Sequence, residues 1–296
     1  MRNKSTVIQY HLMLLPGIIM LIIFSVVPMF GIIIAFQNYQ PARGFLASQF
    51  VGLRNFRQLL SYPDVRNIFV NTIVISVTKM VLGIVVPVTF AVMLNELKFM
   101  PYKRAVQTIV YMPHFLSWVI LAVMFHNIFS YTGMANKIVE LFGGEPILFM
   151  VSNTWFRPII IATDVWKSFG YGAIIYLAAI SNVDPNIYEA ASIDGANRMR
   201  VIWHIILPSI STTIVLMATL SLGNILNAGF DQIYNMYTPL VYRTGDIIDT
   251  YVYRAGLQRL QFSFATAVGL LKSVVSFTLL VTSYKLAAKF TGYTLF

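Results

Sequence analysis

Four charged side chains fall inside long apolar segments of this sequence: Lys79, Asp164, Lys167 and Lys272. Charged groups are costly in such surroundings, which makes them candidates for binding an ion or a charged substrate. Asp164 and Lys167 lie three residues apart on one helical face, where they are predicted to neutralise each other or to face a path. Lys79 and Lys272 have no acidic neighbour in the sequence. They therefore pair with another subunit, extend to the membrane surface, or face an aqueous path.

A second group combines amide, carboxylate and aromatic side chains, which is the mixture that sugar sites use. The alternative use of such residues is hydrogen bonding between helices and anchoring at a membrane surface, and it stays open. With the two lysines, the candidate substrate path comprises Lys79, Lys272, Asn224, Asn227, Asp231, Gln232, Trp166 and Tyr171.

Motifs for bond chemistry are missing from the sequence. It has no cysteine, and its four histidines show no metal-ligand spacing. No glycine is followed by lysine, so the phosphate-binding GxxxxGK[ST] loop is absent. We therefore predict no catalytic residue, metal or cofactor in this chain, and any energy from ATP must come through a partner.

The composition indicates a membrane protein, because 57% of the 296 residues are apolar and only 11% are charged. The mean hydropathy is +0.72, and several apolar runs exceed the roughly 20 residues that cross a bilayer as a helix. The predicted fold is all-α, a single transmembrane domain over 1–296. Its six predicted spans cover residues 12–36, 67–97, 105–129, 158–180, 209–230 and 262–286. Basic residues divide evenly between the two sides and only weakly favour termini on the inside.

The polar segment between the fourth and fifth predicted spans contains explicit helix signals. Asp184 can cap a helix that starts at Pro185, and Gly195 can adopt the left-handed conformation that ends it. The predicted helix has about ten residues and is too short to span a membrane. An amphipathic linker on the membrane surface would show the same features.

The same segment resembles the EAA–G–I-x-L-P motif of permease subunits in binding-protein-dependent ABC importers. Glu189-Ala190-Ala191 is followed by Gly195 and then by Ile205-Ile206-Leu207-Pro208 with the same spacing. Softer resemblances to the oligosaccharide branch of this family occur at residues 51–56 and 111–113. Residues 230–233, 238–242 and 248–253 resemble permeases for complex polysaccharides and uronate-containing oligosaccharides. With the excess of lysine inside the spans, they favour an acidic oligosaccharide as substrate.

The resemblance implies a type I importer fold in a bacterial cytoplasmic membrane, with both termini cytoplasmic. It implies a path shared with a second, non-identical permease, two ATPase subunits that bind ATP and magnesium, and an external sugar-binding protein. No nucleic acid is expected. The short helix would be the coupling helix that docks on an ATPase, through Glu189, Ala190, Ala191, Asp194 and Gly195. A secondary transporter driven by an ion gradient, which would use Asp164, is the alternative; an intramembrane enzyme lacks a recognisable motif.

Overall fold

The computed structural model describes residues 4–291, and helices dominate them. The first half contains α1 (Lys4–Leu21), α2 (Val27–Met29), α3 (Gly44–Ala47), α4 (Arg54–Ser61), α5 (Pro63–Asn95), α6 (Met100–Tyr111), α7 (Trp118–Ile128) and α8 (Met134–Leu141). The second half contains α9 (Phe156–Ser181), α10 (Pro185–Ile193), α11 (Arg198–Val201), α12 (Leu207–Leu222), α13 (Phe230–Met236), α14 (Tyr242–Gly245), α15 (Ile248–Tyr253) and α16 (Phe262–Thr291). Two short strands, β1 (Gln37–Asn38) and β2 (Gln49–Phe50), pair antiparallel.

The described residues form two compact units. The first unit combines the chain up to Val65 with Tyr251–Ser273, and the second combines Arg66–Thr250 with the described residues from Val274 onward. Within the first unit, Asn55 donates from Nδ2 to the carbonyl oxygens of Ala35 and Gln37, at 2.8 and 3.0 Å. The single-domain prediction for 1–296 stays a prediction, and its residues 1–3 and 292–296 lie outside the described part.

Among the described residues, four continuous helices are long and apolar enough to cross a membrane. They are Gln9–Phe36, Asp64–Asn95, Arg198–Leu222 and Phe262–Thr282. The first of them contains a π-helical turn at Ile22–Val26 and a 3₁₀ stretch at Phe30–Phe36. Three of these helices coincide with the first, second and sixth predicted spans to within a few residues.

The third predicted span, 105–129, is wrong as one continuous helix. The helical segments Met100–Phe115 and Trp118–Ile128 meet at an angle of 104°. Pro113 lies in a 3₁₀ turn at the end of the first segment, and Leu116 and Ser117 are extended. Ser117 then caps the next helix, since its side chain accepts a hydrogen bond from the Ile120 amide. The cap and the turn interrupt a segment that hydropathy alone treats as uniform.

The fifth predicted span, 209–230, also differs from the structure. The helix begins earlier, at Arg198, and a π-helical turn at Ile202–Ile206 precedes Pro208, which lacks an amide donor. It ends at Leu222 instead of continuing to residue 230. A turn with two asparagines follows, and Gly229, at φ +96°, is the N-cap residue that precedes α13. The positive φ at Gly229 lies outside the α-helical region, so a continuous helix cannot run through this residue to residue 230.

The fourth predicted span, 158–180, corresponds to α9, a helix of 26 residues. Its length of about 39 Å exceeds the ~30 Å hydrocarbon core. Because α9 contains polar residues, it is not one of the four helices that are apolar enough to be counted as candidate spans. Gly170 lets α9 pack closely on α6, because a Cβ there would collide with the carbonyl of Val110. The helix therefore lies inside the second unit with polar groups along its middle.

Candidate coupling helix and polar cavity

The short helix α10 begins where the sequence predicts. The Asp184 carboxylate accepts a hydrogen bond from the Asn186 amide at 2.9 Å, and Pro185 occupies the first helical position. The cap satisfies one free amide group of the first turn, and Pro185 has no amide group to satisfy. The start of the helix is therefore fixed locally by residues 184–186.

The helix ends in a Schellman motif. The Ala196 amide donates to the Ala191 carbonyl at 2.9 Å, and the Gly195 amide donates to the Ser192 carbonyl at 3.2 Å. Gly195 has φ +70°, a backbone conformation that residues with a Cβ adopt only at a cost in free energy. This motif confirms the predicted helix end and makes Gly195 the residue that redirects the chain.

The two faces of α10 differ in exposure. Ala191 is buried and Tyr188 is partly buried, and Tyr188 packs against an apolar cluster that includes Val92, Tyr176 and Ile206. Glu189, Ala190 and Asp194 are exposed, as are Gly195 and Ile193, the latter at 87%. The five predicted coupling residues therefore present four exposed positions and one small buried side chain.

Tyr188 packs α10 against an apolar cluster of the second unit. Its hydroxyl is buried and has no hydrogen-bond partner among the described residues. Burial, and then the nearby charge of Glu96 after α5, raise the pKa of Tyr188 above its ordinary value. Tyr188 therefore stays neutral at physiological pH and contributes to the packing beneath α10 mainly through its ring.

A polar network joins three helices in the middle of the second unit. The Lys79 ammonium on α5 lies 3.3 Å from Asp164 Oδ1 on α9. It also donates to the Ala228 carbonyl at 2.8 Å and to Gln232 Oε1 at 2.5 Å. Gln232 is fully buried and donates from Nε2 to the Ile160 carbonyl and to Thr163 Oγ1, at 2.7 and 2.8 Å. The charge of Lys79 is thus compensated, and its three N–H groups all have acceptors.

This network borders a cavity of about 300 Å³. Its polar lining comprises Ser76, Lys79, Asp164, Ser221, Asn224 and Asn227. The side chain of Asp164 is 27% exposed, against 9% for Lys79, so the carboxylate is the more accessible member of the pair. The lining is rich in hydrogen-bonding groups and can hold water or a hydroxylated ligand.

The structure brings some of the predicted path residues together. Lys79, Asn224 and Asn227 line the cavity, and Gln232 holds Lys79 from behind. Asp231 is exposed on α13, outside the cavity lining. Lys272 lies on α16 in the first unit, partly buried.

The two aromatic members of the set lie elsewhere on α9. Trp166 packs edge-on against Phe125, with ring centroids 5.7 Å apart. Tyr171 stacks on His114, at 4.0 Å and 2°. Neither ring lines the cavity.

The predicted pairing of Asp164 with Lys167 is wrong. Asp164 instead pairs with Lys79, and Lys167 donates to the His114 carbonyl at 2.8 Å. The partner of Lys79 lies 85 positions away along the chain, so sequence spacing could not identify it. Sequence reasoning also missed Gly229, where a Cβ would stand 3.0 Å from the Lys79 ammonium. Its only signal in the sequence is a glycine between the two asparagines and Gln232.

Residues 83–290 match the model of a protein family that is described as "Binding-protein-dependent transport system inner membrane component". The chain belongs to this family. The match includes α10 and every lining residue of the cavity except Ser76, Lys79 and Met80. Membership identifies the protein as the permease component of an ABC importer and excludes the ion-gradient-driven alternative.

The permease is similar to two proteins of Bacillus subtilis over almost its whole length. It is 43% identical over 281 residues to the polygalacturonan/rhamnogalacturonan transport system permease YteP of Bacillus subtilis, covering 95% of this chain and 88% of that one. It is 41% identical over 281 residues to the protein LplB of the same organism, with the same coverage.

The chain is also similar to chains in solved structures of ABC transporters. A bacterial ABC transporter for import of the acidic polysaccharide alginate contains a chain with a TM-score of 0.90 and 37% identity, at 97% coverage of both chains. A second structure contains a bacterial alginate ABC transporter in complex with a periplasmic protein bound to an alginate pentasaccharide, at a TM-score of 0.89 and 36% identity. This likeness confirms the all-α fold of a type I importer permease.

Proposed function

We propose that this permease forms one half of the translocation path of an importer for oligosaccharides that contain uronate rings. The observation that carries the proposal is the resemblance to a polygalacturonan/rhamnogalacturonan permease and to an alginate transporter over at least 95% of the chain. Pectin fragments and alginate share sugar rings that bear carboxylates. A cavity with amide, hydroxyl and charged groups supports a hydroxylated substrate.

The coupling role of α10 is part of the same proposal. Glu189 is exposed on a helix with fixed ends, and the adjacent Ala190 leaves room for a partner's backbone. Glu189, Ala190, Ala191, Asp194 and Gly195 form the contact with an ATPase subunit, where a basic residue meets Glu189. ATP and magnesium bind to the two ATPase subunits and not to this chain.

The arrangement of partners follows from that contact. The loop with α10 lies in the cytoplasm, which puts both termini there as well. A second, non-identical permease completes the path in the bacterial cytoplasmic membrane. A binding protein outside the cell delivers the oligosaccharide.

The substrate class is tested with the complete transporter, purified with its own partners and placed in lipid vesicles. We expect trimers to pentamers of galacturonate, loaded on the binding protein, to stimulate ATP hydrolysis and to be taken up. Maltose oligomers of equal length serve as the neutral comparison and should have little effect. Stimulation by the maltose oligomers without stimulation by galacturonate oligomers would contradict the proposed substrate class.

A further inference from the structure

Polar residues form a stripe along the middle of α9. Asp164, Lys167, Ser168 and Tyr171 lie at positions i, i+3, i+4 and i+7 and therefore share one face of the helix. Ser168 is exposed, and Tyr171 is 47% exposed. Polar groups on a helix inside a membrane are unfavourable against lipid, so the polar stripe must meet water, ligand or protein.

Of the two lysines near this stripe, Lys79 and Lys167, only Lys167 keeps N–H groups without an acceptor among the described residues. The three N–H groups of Lys79 are taken by Asp164, Ala228 and Gln232. Lys167 donates one N–H group to the His114 carbonyl and lies 5.5 Å from the ring centroid of Trp118. Within residues 4–291, no carboxylate pairs with Lys167 at 4 Å or less. Two of its N–H groups therefore remain for a ligand.

A group of aromatic rings lies one helical turn from Lys167. Tyr171 is stacked on His114, and Phe115 stands edge-on to both rings, at centroid distances of 5.6 Å from His114 and 6.2 Å from Tyr171. Phe115 is 75% exposed. His114 and Phe115 reach this position because the chain bends directly after them, at residues 116–117. The bend thus presents apolar ring surface beside an ammonium group.

We infer that Lys167 and the Tyr171–Phe115 surface form a subsite for one uronate ring of the passing oligosaccharide. The carboxylate of the sugar accepts charge-assisted hydrogen bonds from Lys167, and its apolar ring face packs on Tyr171 and Phe115. Lys79 is the ion-pair partner of Asp164 and does not contact the carboxylate of the sugar. This inference rests on the proposed function and names the residue that distinguishes acidic from neutral sugars.

The test compares two substrates that differ only in the carboxylate: a galacturonate oligomer and the same oligomer with its carboxylates reduced to alcohols. Uptake by the complete transporter is measured at saturating loaded binding protein, for Lys167→Met, Lys167→Arg and Lys137→Met. Lys137 is an exposed lysine on α8 and controls for the loss of one positive charge. We expect Lys167→Met to lower the maximal uptake rate of the acidic oligomer about tenfold, as loss of a hydrogen bond to a charged group should. Uptake of the reduced oligomer should fall by no more than twofold.

The remaining outcomes separate this inference from the proposed function. Lys167→Arg should keep most of the acidic uptake, and Lys137→Met should keep all of it. Equal loss of both substrates in Lys167→Met, or no loss of either, would overturn the subsite. If the wild-type transporter takes up only the reduced oligomer, the proposed substrate class is wrong whatever the variants do. Tyr171→Leu should slow both substrates, whereas Tyr171→Phe should slow neither, which tests the ring surface independently of the charge.

Discussion

Reversing the charge of Glu189 is expected to lower substrate-stimulated ATP hydrolysis about tenfold or more, with the protein still inserted and folded. The carboxylate is exposed on α10, so its loss removes little from the fold of this chain. At an interface, truncating one partner of a hydrogen-bonded charge pair costs about 2–5 kcal/mol, and about 1.4 kcal/mol is a factor of ten. The measurement is ATP hydrolysis by the complete Glu189→Lys transporter, with and without loaded binding protein.

Matched variants separate the coupling contact from general effects of charge and structure. Glu140→Lys reverses an exposed charge on α8 and should leave stimulation unchanged. Gly195→Val should uncouple because a β-branched residue is strained at φ +70°, whereas Gly195→Asn should be tolerated. Normal stimulation in both Glu189→Lys and Gly195→Val would contradict the assignment of α10 as the coupling helix.

The second large effect concerns the ion pair between Lys79 and Asp164. Asp164→Asn keeps the size of the side chain but leaves the Lys79 ammonium buried without a countercharge. Removing one partner of a buried pair costs about 3–5 kcal/mol, and the partial exposure of Asp164 places the loss near the lower end. We expect a clear fall in the thermal unfolding temperature of the purified protein, whereas Lys137→Met should leave it unchanged.

The double variant tests whether Lys79 and Asp164 stabilise the protein as a pair or independently of each other. Lys79→Met leaves Asp164 alone and also removes the donor from Ala228 and Gln232, so it should destabilise the protein more than Asp164→Asn. In Lys79→Met/Asp164→Asn no uncompensated charge remains, so the combined loss should be smaller than the sum of the two. Strict additivity would show that the ion pair contributes nothing to stability.

Sequence reasoning succeeded where a short range of residues determines the structure. The ends of α10 follow from Asp184, Pro185 and Gly195, each of which acts on its immediate neighbours. The long helices follow from apolar composition over 20 residues or more. The 104° bend near Pro113 and the end of α12 at Leu222 were missed because a hydropathy window averages over a turn of two or three residues.

The candidate path was predicted only in part, for a related reason. Helical spacing suggested Lys167 as the partner of Asp164, but a tertiary contact with Lys79 on α5 prevails. Asn224 and Asn227, which residue type placed in the candidate path, line the cavity. The stacking of Tyr171 on His114 depends on the bend after α6, which the sequence pattern did not reveal.

Labelling of single cysteines tests the central claim most directly, since this chain contains no cysteine of its own. One cysteine replaces exposed Ile193 at the end of α10, and another replaces exposed Arg243 on α14. We expect a membrane-impermeant reagent to label position 193 only from the cytoplasmic side and position 243 only from outside. We also expect a short cross-linker at position 193 to capture an ATPase subunit in the complete transporter. Labelling of position 193 from outside, with no cross-link to the ATPase, would contradict the role of α10 and the orientation of the permease.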